Sequence, residues 1–516
     1  MLVNLRNNLG KPVLLFGFIL AAICFGFSEQ PTFMLLLTIA QLIFIPAMIK
    51  MVVDLPRGGD AIIAVMMIAV TMLHWWTEGW LAIVLALIYV VYTVFIASLG
   101  VNRFLQRGFT NITEISIDIG LMYLFIGGLW FFAFIAKIDT GFPPLITWLT
   151  AIHFHYSACL LVISLGLFGR IHQSRLFNAI LVVIWCGPFL VALGITFSKI
   201  LEVFSVGLYI IAIYGLFILA LKTKFPAIQG LLLRISYGSL CITILWSIMY
   251  ALSNLLGHSF VGIPEMLKFH GVINGVFFGA VGVIAWAIAV PKRTHQPVQF
   301  PVSHIRGKLR EQNDPHPGLV DALHDFVDTT ALSPAIPHFY EQTEQYRLKA
   351  SVKWKSWFKP FALIYQGFSR YIQQLNLPLS SQQIEMTGRI LKVDEQQDGR
   401  SAPRAWIRAI DKQTTFVAIY SKHTTDQTTY MNIALPLPFS TMIGVLYLYE
   451  EEGCLHLTSA HDGDAGIYLA IHRFLFQLPL QEHFVITAKN EILTAVHKMR
   501  IFGLPFLQID YQIEKK

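Results

Sequence analysis

The chain has 516 residues, of which 55% are hydrophobic and only 13% are charged. Soluble domains carry about 25% charged residues, so this composition excludes a single soluble domain and indicates a membrane protein. The net charge of +7 does not indicate nucleic-acid binding, because the basic residues flank apolar segments and no basic nucleic-acid-binding module is recognisable.

Residues 1–291 are a succession of apolar segments separated by short polar breaks. A helix needs about 20 apolar residues to cross the hydrocarbon core of a bilayer. The first segment lacks a small-residue cleavage site, so it predicts a retained helix and not a signal peptide. The segments predict about ten transmembrane helices, at 12–28, 32–49, 61–76, 80–99, 115–136, 145–168, 176–197, 200–221, 235–256 and 267–291.

The Lys and Arg residues of the predicted loops predict the orientation. Thirteen lie on one side of the membrane, whereas the other side carries only Lys137, Lys199 and Lys268. Loops rich in Lys and Arg stay in the cytoplasm. We therefore predict that both termini are cytoplasmic.

The remainder of the chain is predicted to form three further regions. Residues 292–345 are polar and rich in proline, which predicts a linker with a short helix. Residues 346–378 form a basic segment with interleaved aromatic side chains. Its candidate membrane-surface residues are Lys349, Lys353, Lys355, Lys359, Trp354 and Trp357.

A basic amphipathic segment of this kind is typical of a membrane surface, so the expected partner is the bilayer with its anionic lipid headgroups. The alternative is a helix packed on the domain that follows. That domain, residues 379–516, has short strand-like runs separated by turn signals such as Asp398-Gly399 and Glu452-Gly453. The spacing predicts a cytoplasmic, mainly β domain, built as an antiparallel barrel or sandwich.

Polar side chains inside apolar spans are costly and are candidate site residues. Span six contains His153, His155 and Tyr156 near its middle. Residues two apart on a helix project from nearly opposite faces, so the two histidines cannot both face one ion from a regular helix. The run is similar to the haem-ligating helix of haem–copper oxidases, but the His-His pair and the His-x-x-x-Tyr of that family's copper site are missing.

Span ten contains His270 and Asn274, which share a helix face because they are four residues apart. Gly271, Gly275 and Gly279 form a ridge of small residues that predicts close helix packing. His74, at the end of span three, is within reach of a cluster with His153 and His270. Three separately hydrogen-bonded histidines are the alternative.

Asp118 lies about one turn inside span five, four residues after Glu114. It is a candidate for a proton or cation path, and equally for capping the helix N-terminus. We expect no bound cofactor. The alternative is a haem or a transition metal held by His153, His155 or His270.

Five runs together resemble the YndJ-like family of bacterial membrane proteins: AIHFHYSA, KFHGVINGVFFG, IDIGLMYLFIGGLW, DGRSAPRAWIR and YMNIALPLP. They span the helical and the β-rich parts. The resemblance implies a location in the bacterial plasma membrane. It implies no activity, because the family is uncharacterised and is only sometimes described as transporter-like.

The leading functional hypothesis is a transport or permease-like protein whose β domain binds a ligand or lipid. Midplane polar residues and glycine-interrupted helices are typical of a cavity. A haem- or metal-binding redox protein and a non-transporting membrane scaffold or sensor are the alternatives. The β domain contains none of the G-x-S-x-G, Walker or H-E-x-x-H motifs, so no catalytic set is recognisable and the sequence does not decide whether the protein is an enzyme.

Overall fold

The computed structural model describes residues 2–258, 260–293, 298–309, 314–372, 374–410, 413–489 and 492–516. The chain divides into two compact units. The helical unit comprises Met1–Phe104 and Asn111–Gln296, and the barrel unit comprises Leu105–Thr110 and Pro297–Lys516.

The helical unit is built from apolar helices joined by short loops. In chain order they are α1 (Leu2–Leu9), α2 (Pro12–Phe27), α3 (Leu35–Val52), α4 (Gly59–Met72), α5 (Gly79–Leu105), α6 (Ile112–Ile135), α7 (Pro144–Gly169), α8 (Arg175–Phe197), α9 (Lys199–Lys222), α10 (Ala227–Leu256) and α11 (Ile263–Ile288).

Within the described residues, eight of these helices are long and apolar enough to cross a membrane. The pair α1 and α2 is bent by 75° and makes a ninth if it counts as one span. The predicted third span is shorter than expected: α4 has 14 residues, about 21 Å at 1.5 Å per residue, because the helix ends before Trp75 and Trp76. The prediction of a multi-pass helical membrane part is confirmed, with eight to nine spans where about ten were expected.

The glycine ridge of α11 packs against α3. A Cβ atom at Gly275 would lie 2.9 Å from Leu36 Cδ2, and one at Gly279 would lie 2.7 Å from Phe44 Cε2. Tyr156 of α7 also contacts this ridge and donates a hydrogen bond to the Leu36 carbonyl at 2.7 Å. The ridge therefore permits the close approach of three helices.

The barrel unit contains twelve strands in its described part. They are β1 (Tyr346–Trp354), β2 (Ile384–Lys392), β3 (Arg404–Ile410), β4 (Gln413–Thr425), β5 (Thr428–Leu437), β6 (Ser440–Glu451), β7 (Cys454–Thr458), β8 (Gly466–Ile471), β9 (Phe474–Gln477), β10 (Leu480–Lys489), β11 (Ile492–Ile501) and β12 (Leu504–Lys515).

Ten strands form a closed antiparallel ring, in the order β5-β4-β3-β2-β1-β12-β11-β10-β7-β6, and β6 pairs back with β5. The hairpin β8–β9 extends the sheet beside β6. Closure leaves no free edge in the ring. The predicted β-rich domain is confirmed, and of the two predicted architectures it is the barrel.

Two predicted regions contribute to this barrel. The basic segment 346–378 begins with β1, which alternates buried and outward residues and pairs with β12 along its whole length. The predicted linker contains the short helix Ala335–Glu341, and its apolar side chains, including Phe300, Leu323 and Ile336, are buried in the barrel cores. Buried and outward-facing side chains alternate along β1, which is the pattern of a strand and not that of the amphipathic segment expected from its basic and aromatic residues.

We predict that Gly279→Ala lowers the thermal midpoint of the helical unit, whereas Gly207→Ala leaves it unchanged or raises it. Both changes add the same methyl group and the same helix propensity. Only the first meets the Phe44 ring, and the Gly207 site has no atom within 4 Å. Fluorescence-detected size-exclusion chromatography after heating measures the thermal midpoint of each variant. Equal midpoints for the two variants would contradict the described packing of α11 on α3.

Candidate functional site

A buried cluster of charges joins α5, α6 and α7. The Arg103 guanidinium donates from Nε to Asp118 Oδ1 at 2.8 Å and from Nη2 to Glu114 Oε2 at 2.7 Å. Arg170 donates to both oxygens of Glu114, at 2.6 and 2.9 Å. The Asp118 side chain is fully buried and those of Arg170 and Glu114 nearly so. We call these four residues the ion cluster.

The ion cluster also ties down the ends of two further helices. Arg103 Nη1 donates to the carbonyl of Val52, the last residue of α3, at 3.1 Å. Arg170 Nη1 donates to the carbonyl of Pro291, just after α11, at 3.1 Å. Arg103 thus satisfies a carbonyl that the end of α3 leaves without an intrahelical partner, and Arg170 binds the backbone of the segment that follows α11.

The sequence hypotheses for Asp118 were an ion path and a helix cap. The side chain of Asn111 caps α6, accepting from the amides of Thr113 and Glu114. Asp118 instead accepts from Arg103. In the sequence, Arg103 and Arg170 were used only among the loop cations that predict the orientation in the membrane. Glu114 and Asp118 are four residues apart on one helix face, and two such carboxylates require cationic partners when they are buried.

A cavity of about 510 Å³ opens at the other end of α3 and α6. Its walls come from the ends of α3, α4 and α6 and the start of α7, with the exposed pair Lys137–Glu78 at the rim. Typical small-molecule pockets measure about 300–1,000 Å³, so this volume can accept a solute. We call it the far-end cavity, because it lies at the opposite end of the helices from the ion cluster.

Gln41 is a buried polar side chain in the lining of the far-end cavity. It is 1% exposed, and its Nε2 makes no hydrogen bond of full geometry among the described residues, although the amide interacts with Tyr89. It lies beside the Tyr89 hydroxyl, which is 2.5 Å from His155 Nε2. His155 Nδ1 is 2.7 Å from the Ala151 carbonyl and therefore carries the proton, so Tyr89 donates to Nε2. A buried polar chain thus continues from the cavity floor into the protein.

Beyond these hydrogen-bonded side chains, towards the ion cluster, most of the buried side chains are apolar. Ile96, Leu121 and Leu124 are fully buried there. Gly100 packs against the Asp118 carbonyl and Leu121, which brings α5 and α6 together at this level. The cavity is therefore closed on the side of the ion cluster.

A second polar group forms between α7, α10 and α11. The rings of His153 and His270 are 6.5 Å apart between centres. His270 Nδ1 lies 2.9 Å from the Thr243 carbonyl, and the Thr243 hydroxyl donates to Asn274 Oδ1 at 2.8 Å. The structure therefore brings His153, His270 and Asn274 together. His155 lies on another side of α7, as its two-residue spacing from His153 predicts.

His74 does not join this group. Its Nδ1 is 2.7 Å from the Ser28 hydroxyl and its Nε2 is 2.9 Å from the Thr38 hydroxyl, so both nitrogens are engaged at the wall of the far-end cavity. Both nitrogens of His155 are likewise hydrogen-bonded. In the part of the chain that the structure describes, no three His, Cys, Asp or Glu residues form a group that could hold a metal ion.

The helices that carry these polar residues contain π-helical turns. The turns lie at Ala40–Phe44, Phe154–Leu160, Met266–Gly271 and Asn274–Val281. They include Gln41, His155, His270 and Asn274. π-Helical turns occur frequently at functional sites. Sequence patterns based on 3.6 residues per turn do not reveal them.

The barrel interior contains a smaller cavity of about 130 Å³. Arg408 lies in it, 4.4 Å from the Trp406 ring centre and 4.0 Å from that of Phe416. Burial raises the pKa of the neighbouring Tyr420 to about 12. A volume of this size is comparable to a site of about 150 Å³ that accepts benzene.

The predicted membrane-surface residues divide into two groups. Lys349 and Lys353 lie on β1 and pair with Glu514 and Asp510 of β12, at 3.2 and 2.6 Å. Trp354 stacks on Phe358 towards the core. Lys355, Trp357 and Lys359 follow β1 and are exposed.

Comparison with known proteins connects this architecture to one family. A family model described as YndJ-like protein matches residues 35–278. The chain is 40% identical over 456 residues to the uncharacterized membrane protein YndJ of Bacillus subtilis strain 168, covering 83% of each chain. No solved structure matches the chain.

We predict that Arg103→Leu strongly destabilises the helical unit, because it withdraws a guanidinium from two buried carboxylates. Breaking a buried ion pair from one side costs about 3–5 kcal/mol. The matched control is Lys137→Leu, which removes an exposed pair that solvent screens. Thermal midpoints in one detergent give the comparison, and an equal, small effect of both changes would count against the ion cluster as a structural element.

Proposed function

Since the chain belongs to the YndJ-like family of membrane proteins, we propose from the geometry of its helical unit that it binds a small solute in the far-end cavity and moves it across the membrane. The observation that carries this proposal is the Gln41 amide in the cavity lining, which is 1% exposed and whose Nε2 makes no hydrogen bond of full geometry among the described residues, its neighbour being Tyr89. A buried donor of this kind is costly unless a ligand or water satisfies it.

The asymmetry of the helical unit supports a transport cycle. The far-end cavity is open at one end, and the apolar layer with the ion cluster closes the other. A permease needs such a one-sided opening with a binding site between the two ends. The loop charges predict that the ion cluster faces the cytoplasm, so the cavity would open to the outside.

The chemistry of the cavity restricts the solute. Its inner wall offers the Gln41 amide and the hydroxyls of Thr38 and Thr147, and Trp148 adds an aromatic surface. The charged residues Glu78, Lys137 and Asp139 lie near the entrance. These groups suit a neutral or zwitterionic solute with hydrogen-bonding groups and a small apolar part.

We predict that Gln41→Leu abolishes uptake without lowering the thermal midpoint of the protein. Leucine has a similar volume and removes the buried amide, so stability should be unchanged or higher. The matched control is Gln173→Leu, which changes an exposed glutamine in a loop. The variants are reconstituted in liposomes and exposed to a bacterial small-molecule extract, and the solutes accumulated inside are identified by mass spectrometry.

The proposal requires at least one solute that accumulates with the wild type and with Gln173→Leu but not with Gln41→Leu. An accumulation profile of the wild type identical to that of protein-free liposomes would contradict it.

A further inference from the structure

One end of the barrel carries most of the exposed large apolar side chains of the barrel unit. Strand pairing identifies this end: β1 finishes there at Trp354, opposite Leu507 of β12, and the β11–β12 and β5–β6 turns lie at the same end. We call it the Trp354 end. Exposed residues there include Phe361, Ile364, Phe368, Phe439, Phe502 and Leu504.

A helix (α12, Lys359–Ile372) crosses the Trp354 end. Before it, Phe358 packs on Phe506 of β12 with ring centres 4.7 Å apart. After it, Gln374 exchanges hydrogen bonds with the backbone of Val417 on β4, both at 3.1 Å. The helix is therefore fixed to the barrel on both sides.

The helix turns its small residues inward and its large apolar residues outward. Ala362 and Ser369 are buried. Phe361, Ile364, Phe368 and Tyr371 are all more than half exposed, and their spacing of three and four residues places them on one face. A helix packed only on the barrel would bury this face, so the stripe lacks a partner within the barrel unit.

Two turns at the Trp354 end add strained apolar residues. Phe439 and Phe502 adopt the left-handed backbone conformation, with φ of 63° and 49°. Asparagine, aspartate and glycine are the residues that usually occupy this conformation, and a bulky side chain there is unfavourable. Both phenyl rings are nevertheless largely exposed, and Phe502 has one edge-to-face contact, with Phe109 at 5.6 Å between ring centres. Exposed apolar side chains on a strained backbone indicate a surface that binds an apolar partner.

Cations border this apolar surface. Lys355, Lys359, Arg473 and Arg500 are exposed at or near the Trp354 end. The opposite end carries exposed charges of both signs, among them Asp426, Glu452, Lys489 and Lys515. An apolar surface bordered by cations complements an anionic bilayer, with its apolar residues at the boundary of headgroups and acyl chains.

We propose that the Trp354 end of the barrel docks on the surface of an anionic lipid bilayer, inserting the outer face of α12 and the tips of the two turns into the headgroup region. The same chain spans the membrane, so the barrel unit is tethered to a bilayer. This docking does not depend on the proposed transport activity.

The test uses the full chain in nanodiscs that contain phosphatidylglycerol and a spin-labelled lipid quencher. Cys186 and Cys454 are replaced by serine, and the other three cysteines are buried. A fluorophore is attached at Phe368→Cys, at Phe502→Cys or, as the matched control, at Ile492→Cys, an exposed apolar position at the opposite end of the barrel.

The proposal predicts several-fold stronger quenching at positions 368 and 502 than at 492. Equal quenching at the three positions would overturn it. So would labels at 368 and 502 that are shielded from aqueous iodide but not quenched by lipid, because a protein partner or a second copy would then cover the surface. Equal quenching in purely neutral nanodiscs would overturn the assignment of an anionic surface.

A second variant separates docking from folding. Phe439→Asn with Phe502→Asn gives both turns a residue suited to their backbone conformation, so the barrel should be as stable or more stable. Quenching at position 368 should nevertheless fall. Unchanged quenching in this variant would overturn the role assigned to the turns.

Discussion

The buried ion pairs of Arg103 and Arg170 with Glu114 and Asp118 are the interaction on which the helical unit depends. Four ionised groups in an apolar interior are tolerated only when each is paired and hydrogen-bonded. The two guanidinium groups meet this requirement and also bind the carbonyls of Val52 and Pro291. One end of five helices is therefore held together, while the other end is left free to surround a cavity.

This constraint gives the helical unit its asymmetry. At the ion cluster the helices converge on short, directional contacts. At the far end they separate around a space of about 510 Å³. Between the two lie the buried polar side chains of Gln41, Tyr89 and His155, which contact one another in this order and are bordered by apolar residues. The incompletely hydrogen-bonded Gln41 amide in its lining distinguishes this space from an apolar packing defect.

The sequence predicted the type of each unit because hydrophobic length and strand alternation are local properties. It also identified Asp118, His155 and His270 as costly polar residues. It did not identify Arg103, Tyr89 or Gln41 as partners, because those contacts join different helices and follow from packing. Charge composition suggested a surface segment from residue 346, but the alternation of Tyr346, Leu348, Ala350 and Val352 places its beginning in the barrel. The π-helical turns were not predictable from regular helix geometry.

We infer that the far-end cavity is open to water as far as Gln41 and closed beyond it. The direct measurement is the reactivity of single cysteines with a charged, water-soluble thiol reagent in nanodiscs, where both faces of the membrane are accessible. Gln41→Cys should react readily. Thr93→Cys, a fully buried position on α5 on the ion-cluster side of Tyr89, should not react. Equal protection of both cysteines would show that no open cavity reaches Gln41 and would contradict the account.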